Sequence, residues 1–394
     1  MKSILSMPAE FYGNIKPALS ELSKPQRGHF ARFVTGLIVS PNKTVDGITQ
    51  ASVHTKDQSA LNRFLTLSPW ERKRVRNAVL RTAQQRRLLG SGCAFVLDDT
   101  LNEKTGKHID AAGWFFDHCK GHVVWGHQLV TSGYVTPKGF VPFDVELYVK
   151  EEDCMGKEFL TKNQLACHLL DEAHAIQPFC VVLVDTWYAN KTVLGHCQCK
   201  DWQYITDVKS NRRFVYRGES WRADMYAATL TDDACEIRII KDDTYQFHSI
   251  DVYIDGLGDQ QLVCVRRRNE KKNEWGPWHF LLTSLRFSDP ESVVRWYLKR
   301  WSIEPFHEVS KQELGFGEYQ LRKHRGIVKH LFLVLVAYLL VLLWAFAALP
   351  DAVALTMEER IRQFRRACER IIVTTSMALV QHMGEAPVLQ AMGL

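Results

Sequence analysis

Ala94-Phe95-Val96-Leu97-Asp98-Asp99-Thr100 and Cys180-Val181-Val182-Leu183-Val184-Asp185-Thr186 are two versions of one pattern. Each is an apolar run that ends in aspartate. Short unbroken apolar runs read as strands buried on both faces, as in layered α/β sheets. A carboxylate at the end of such a strand is costly unless it is paired or binds a metal. Ligand sites in α/β sheets lie at strand ends. One strand-end aspartate reads as a turn or a helix cap, but two in one chain point to a shared cation site. Oxygen-only ligands suit Mg²⁺ or Mn²⁺ rather than zinc.

The segments around these runs set the fold class. Val123 to Val135 and Phe140 to Val149 are rich in β-branched and aromatic residues and read as strands. Thr161 to Ile176 carries apolar residues at helical spacing, and Tyr204 to Val208 reads as a further strand. The order gives an α/β layered core in which an antiparallel part leads into a parallel part. Residues 209–287 alternate in period two with many turns and read as a β-rich insertion. Helical character returns at Pro290 and continues to about Leu349. Residues 350–394 form a helical tail whose Thr356 to Ile371 stretch is amphipathic and basic. Residues 1–90 read as helical and basic. There Ser68-Pro69-Trp70-Glu71 predicts a helix start, with Ser68 as cap and Glu71 completing a capping box.

A third chemical feature is Tyr297-Leu298-Lys299-Arg300-Trp301-Ser302-Ile303-Glu304-Pro305-Phe306-His307-Glu308-Val309-Ser310-Lys311. On one continuous helix Arg300, Glu304, His307 and Lys311 fall within about 60° of each other. A carboxylate flanked by cations can hold a metal while the cations grip phosphates. The same spacing also suits a plain ion-pair face. Pro305 removes a backbone donor, so the helix kinks there or restarts with Ser302 as its cap. His307 is expected to pack rather than to catalyse.

The chain has 394 residues and a net charge of +6. Its cations are clustered. Arg72, Lys73, Arg74 and Arg76 open one cluster, and Arg266, Arg267 and Arg268 form another beside Trp275 and Trp278. Such clusters neutralise phosphates. Arginine with tryptophan also suits unpaired DNA. Met1 to Ser20 lacks a continuous apolar core, and the ten cysteines are scattered, so a reducing cytoplasm is expected. His196-Cys197-Gln198-Cys199 has no second pair at zinc-site spacing and is not read as a metal site. Leu331 to Leu349 is uncharged and long enough to cross a bilayer. No second span exists, so a buried core helix is the expectation, with no membrane partner.

Tyr-x2-Arg-x3-Glu-x6-Lys, met by Tyr297, Arg300, Glu304 and Lys311, resembles the signature of DDE transposases from bacterial insertion sequences. The two strand-aspartate motifs, including Asp185-Thr186-Trp187-Tyr188, strengthen the resemblance, which covers roughly residues 90–345. It implies an RNase H-like catalytic core, residues 91–208 and 288–349, interrupted by the insertion at 209–287. It implies that Asp98 or Asp99, Asp185 and Glu304 hold two Mg²⁺ (or Mn²⁺) ions. Tyr297, Arg300 and Lys311 would contact DNA phosphates near the cleaved end. The family's first acid is often followed two positions later by Thr, which selects Asp98 and is preferred; aligning the Asp-Thr pair selects Asp99. The expected activity is hydrolysis at transposon ends followed by attack of the 3′-OH on target DNA. Residues 1–90 would recognise double-stranded ends, and a homodimer would hold two ends in the bacterial nucleoid. In relatives an aromatic residue of the insertion stacks on a displaced base, which draws attention to Trp275 and Trp278. A nuclease with the same core and a DNA-binding relative without strand transfer are the alternatives.

Overall fold

A computed structural model describes residues 7–51, 57–118, 120–154, 156, 158–284 and 289–392. The expected boundary between residues 287 and 288 lies outside them. The chain opens with five helices: α1 (Ala9–Ser20), α2 (Lys24–Val39), α3 (Val45–Gln50), α4 (Gln58–Thr66) and α5 (Arg72–Gln85). Strands β1 (Ala94–Glu103), β2 (Gly113–Asp117), β3 (His122–Thr136) and β4 (Gly139–Leu147) follow. Then come α6 (Lys162–Ile176), β5 (Val181–Val184), α7 (Lys191–Cys199) and β6 (Tyr204–Val208). The β-rich region holds β7 (Arg213–Tyr216), β8 (Glu219–Arg222), α8 (Ala223–Ala227), β9 (Glu236–Ile240), β10 (Asp243–Ile254), β11 (Gly258–Asn269), β12 (Glu274–Trp275) and β13 (His279–Thr283). Helices α9 (Pro290–Tyr297), α10 (Ile303–Glu313), α11 (His324–Ala348), α12 (Met357–Met383) and α13 (Glu385–Met392) complete the chain.

Among the described residues the strands join into one mixed sheet, in the order β2-β3-β1-β5-β6-β13-β11-β10-β7-β8, with β4 on β3, β9 on β10 and β12 on β11. Its centre is parallel: β1 runs with β5, and β5 with β6. The outer pairs are antiparallel. This large mixed α/β sheet fits an RNase H-like domain. The β-rich region continues it, because β13 pairs with β6 from Phe280↔Val208 to Thr283↔Ile205.

Helix α11 lies in the middle of the apolar core. Its residues from Gly326 to Ala345 are all buried. An apolar helix of this length is therefore accommodated inside protein, as the sequence reading favours. It packs against α1, α2, α4, α5 and β4. One hydrophobic cluster runs from Phe11 through the strands to Cys368. The expected boundary at residue 90 thus separates helices from strands, but not one core from another.

Ser68 does not cap a helix. Helix α5 begins at Arg72 behind Glu71. The Ser68 hydroxyl instead accepts from Gln26 Nε2 at 2.9 Å, and its carbonyl accepts from Lys329 Nζ at 2.6 Å. Tertiary donors have taken the groups that a cap would use. Between Tyr297 and Lys311 the helix restarts after Ser302, one of the two outcomes that Pro305 allows, although the Ser302 side chain makes no cap hydrogen bond. A 3₁₀ segment, Leu298–Ser302, separates α9 from α10. Pro305 then falls in the first turn of α10, where its missing N–H has no intrahelical partner to lose.

Candidate active site

Strands β1 and β5 pair as Ala94↔Val181, Phe95↔Val182 and Val96↔Leu183. The same offset of 87 places Asp98 beside Asp185. Residues 94–97 of β1 are fully buried, and the strand becomes half-buried at Asp98. The sheet therefore brings two carboxylates to the point where it leaves the core. Asp185 sits just past β5, and its Oδ1 accepts the backbone N–H groups of Trp187 (3.0 Å) and Tyr188 (3.3 Å). This turn fixes the carboxylate in place.

Successive side chains of a strand point to opposite faces. Asp98 and Thr100 face the α9–α10 side: Asp98 meets Arg300, and Thr100 Oγ1 accepts from Lys311 Nζ at 2.7 Å. Asp99 faces the other way, where Lys162 Nζ of α6 lies 2.6 Å from its Oδ2 and Gln128 donates to the same oxygen. The two candidates for the first acid thus have different partners: Asp99 is paired with Lys162 at 2.6 Å and Asp98 with Arg300 at 3.6 Å, and both lie within electrostatic reach of Asp185.

Arg300 is the hinge of the arrangement. It is buried on the 3₁₀ segment, with Nη1 3.6 Å from Asp98 and Nη2 3.4 Å from Glu304. The guanidinium stands between the two carboxylates, and the Glu304 side chain is 45% exposed beyond it. Burial, and then the charge of Asp185, push the Asp98 carboxyl up to about 7, against the pull of Arg300. Burial and Asp99 raise Asp185. Among the described residues no three acidic, histidine or cysteine side chains enclose a metal position by themselves. The pair Asp98–Asp185 is nevertheless short of positive charge, its donors are all oxygen, and two buried polar atoms beside it, Tyr188 Oη and Arg300 Nε, have no partner. Hard divalent cations suit such a donor set.

The other signature residues are placed as follows. Tyr297 is packed against Arg300, whose guanidinium carbon lies 5.7 Å from the ring centroid; burial raises its hydroxyl far above the ordinary range. Lys311 also donates to the Leu101 carbonyl at 3.2 Å, so it fastens α10 to β1. His307 is buried and lies 2.6 Å from Thr131 Oγ1, where burial and Lys311 push it down to about 3. It packs as a neutral ring, in agreement with the sequence reading.

The basic clusters are less free than their sequence suggests. Arg76, 4% exposed, pairs with Asp144 at 2.5 Å and Glu172 at 2.8 Å. Arg72 pairs with Asp144 and Glu146. These two cations were expected on DNA, but internal carboxylates take them. Lys73 and Arg74 remain on the outer surface of α5, beside Glu172 and Glu21. At the β11–β12 hairpin Arg266 lies over Trp278 (4.4 Å) and Trp275 (5.3 Å), Arg267 pairs with Asp243, and Arg268 bonds Asn273.

Two residues of the candidate site, Lys162 and Asp207, escape the sequence reading, and a third, Tyr188, is named there only as part of a motif. Lys162 neutralises Asp99. Tyr188 is fully buried beneath the three aspartates. Asp207, on β6, accepts from Thr186 Oγ1 at 3.0 Å and lies within electrostatic reach of Arg300 and Tyr297. It follows Tyr204-Ile205-Thr206, a third strand that delivers an acid.

A mixed sheet with acids at the ends of adjacent parallel strands, and a third acid on a late helix, fits the RNase H-like class of phosphodiester-cutting enzymes. The comparisons agree. Residues 17–229 match the family described as DDE superfamily endonuclease, and residues 161–340 match the transposase DDE domain. A probable transposase for insertion sequence element IS701 from Microchaete diplosiphon is 22% identical over 281 residues, covering 69% of this chain and 70% of that protein. The chain belongs to the DDE superfamily of endonucleases and is a transposase of the insertion-sequence type. Such enzymes act on DNA and depend on divalent metal.

Proposed function

We propose that the chain cuts DNA at the two ends of its element and joins the freed 3′ ends to target DNA. Asp98, Asp185 and Glu304 would hold two Mg²⁺ ions, or Mn²⁺ in their place. The observation that carries this reading is the register of β1 on β5, which sets Asp98 beside Asp185 with Arg300 linking Asp98 to Glu304. When bound, paired ions activate water and stabilise the leaving 3′ oxygen of an in-line displacement. The protein supplies the rest. Arg300 brings a planar cation that suits a phosphate. Tyr297 limits its movement, and Lys311 keeps α10 pressed on β1. No covalent intermediate with the chain is needed.

In the same reading, residues 1–90 contact the element end, with Lys73 and Arg74 on the phosphates. Residues 209–287 are the family's β-rich insertion, in which Arg266, Trp275 and Trp278 line a hairpin suited to unpaired DNA. The enzyme works as a homodimer on DNA, because two ends must be cut together. The test is an assay of cleavage and joining on the element's terminal duplex with Mg²⁺. Asp185→Ala and Glu304→Ala are expected to bind this duplex like the wild type and to yield neither cut nor joined product. Cutting without joining by the wild type would reduce the chain to a nuclease. Full activity of either variant would remove the proposed site.

A further inference from the structure

The turn that fixes Asp185 also fixes Trp187. Its backbone N–H is held by Asp185 Oδ1, and its carbonyl accepts from Asn190 Nδ2 at 3.1 Å. The indole is nevertheless 54% exposed. Among the described residues it makes no ring–ring contact of the kind that engages buried aromatics such as Phe95 and Phe179. One face is covered by a cation: Lys162 Nζ lies 4.2 Å from the ring centroid and is itself anchored to Asp99 at 2.6 Å. A tryptophan side chain thus stands in water, two residues from a candidate catalytic acid, on an anchored backbone and with a fixed ammonium beside it.

Water does not reward that arrangement, and a nucleic-acid strand does. Every base has a π-face, so an exposed indole is a stacking platform that tolerates any sequence. The neighbouring ammonium complements the phosphates on either side of the stacked base. We propose that Trp187 stacks on an unpaired base of the strand that enters the acidic site, and so positions the bond to be cut. Trp187 is a positioning residue in this scheme, and Lys162 holds the ring. The proposal rests on the reading of Asp98, Asp185 and Glu304 as the catalytic acids.

The test is a photocrosslinking scan on the element's terminal duplex, with 5-iododeoxyuridine placed at successive positions around the cleaved bond. The full chain carrying Glu304→Gln is used, because it keeps the DNA uncut and leaves the Asp185 turn intact. Irradiation is expected to join one position to Trp187. Adding Trp187→Phe keeps that crosslink at lower yield. Adding Trp187→Ala removes it and weakens binding of the same duplex by about tenfold, with an unchanged melting temperature because the ring is exposed. Crosslinks that map elsewhere, together with unchanged binding by Trp187→Ala, overturn the platform. If Glu304→Gln still cuts at the wild-type rate, the site reading itself fails, and the platform with it. An inactive Glu304→Gln protein without a Trp187 crosslink removes the platform alone.

Discussion

Asp98→Asn is expected to lower DNA cleavage by about a thousandfold or more, whereas Asp99→Asn stays within about tenfold of the wild type. The two residues are adjacent and chemically identical, so the difference comes only from where the strand points them. Asp98 faces Arg300 and shares the register of Asp185. Its negative charge is costly there unless a cation joins it, which is the condition of a metal ligand. Asp99 already has Lys162 and Gln128. An asparagine at 99 still accepts a hydrogen bond, so its loss is the ion pair alone, about 1–3 kcal/mol of local stability. Both variants should bind the terminal duplex. Rates measured at saturating DNA separate them from any effect on binding. Equal losses at 98 and 99, or a larger loss at 99, would place the first acid on the other face of β1.

That choice shows what a sequence can and cannot carry. Apolar runs at 94–97 and 181–184 announce two buried strands, and the aspartates after them announce a site, because burying charge is rarely tolerated without purpose. Which aspartate faces the site depends on how β1 registers on β5, and residues 87 apart leave no trace of that in the chain. Asp207 stayed hidden for a related reason. Its strand, Tyr204-Ile205-Thr206-Asp207-Val208, reads as a strand, but Asp207 lies inside it rather than at the end of an apolar run, so nothing singles it out. Pro305 announces the break in the signature helix, because it has no N–H to donate, but periodicity leaves open where the helix restarts; the 3₁₀ segment tightens the turn that carries Arg300. The basic cluster on α5 misled most. A row of arginines looks the same in sequence whether it faces phosphate or a distant carboxylate, and Asp144 lies 68 residues beyond Arg76.

Asp144→Ala is expected to destabilise the protein by about 3–5 kcal/mol, the usual result of stripping one partner from a buried ion pair. Asp144 is 2% exposed on β4 and receives Arg76 and Arg72 from α5, while Glu172 of α6 shares Arg76. Removing the aspartate leaves two cations in the interior with only the partly exposed Glu146 and Glu172 to meet them. Urea unfolding should show an earlier midpoint with an unchanged slope. A double variant, Arg76→Met with Asp144→Leu, should regain most of the loss, since an apolar pair of similar size has no charge to strand. The same network holds α5 on the sheet and keeps Lys73 and Arg74 facing outward. Lys73→Ala with Arg74→Ala should therefore flatten the salt dependence of end binding and leave stability nearly unchanged. Arg76→Ala should do the reverse. If Asp144→Ala costs less than about 1 kcal/mol, the range of an ordinary surface pair, then α5 is held by its apolar face alone and Arg72 and Arg76 are free to meet DNA.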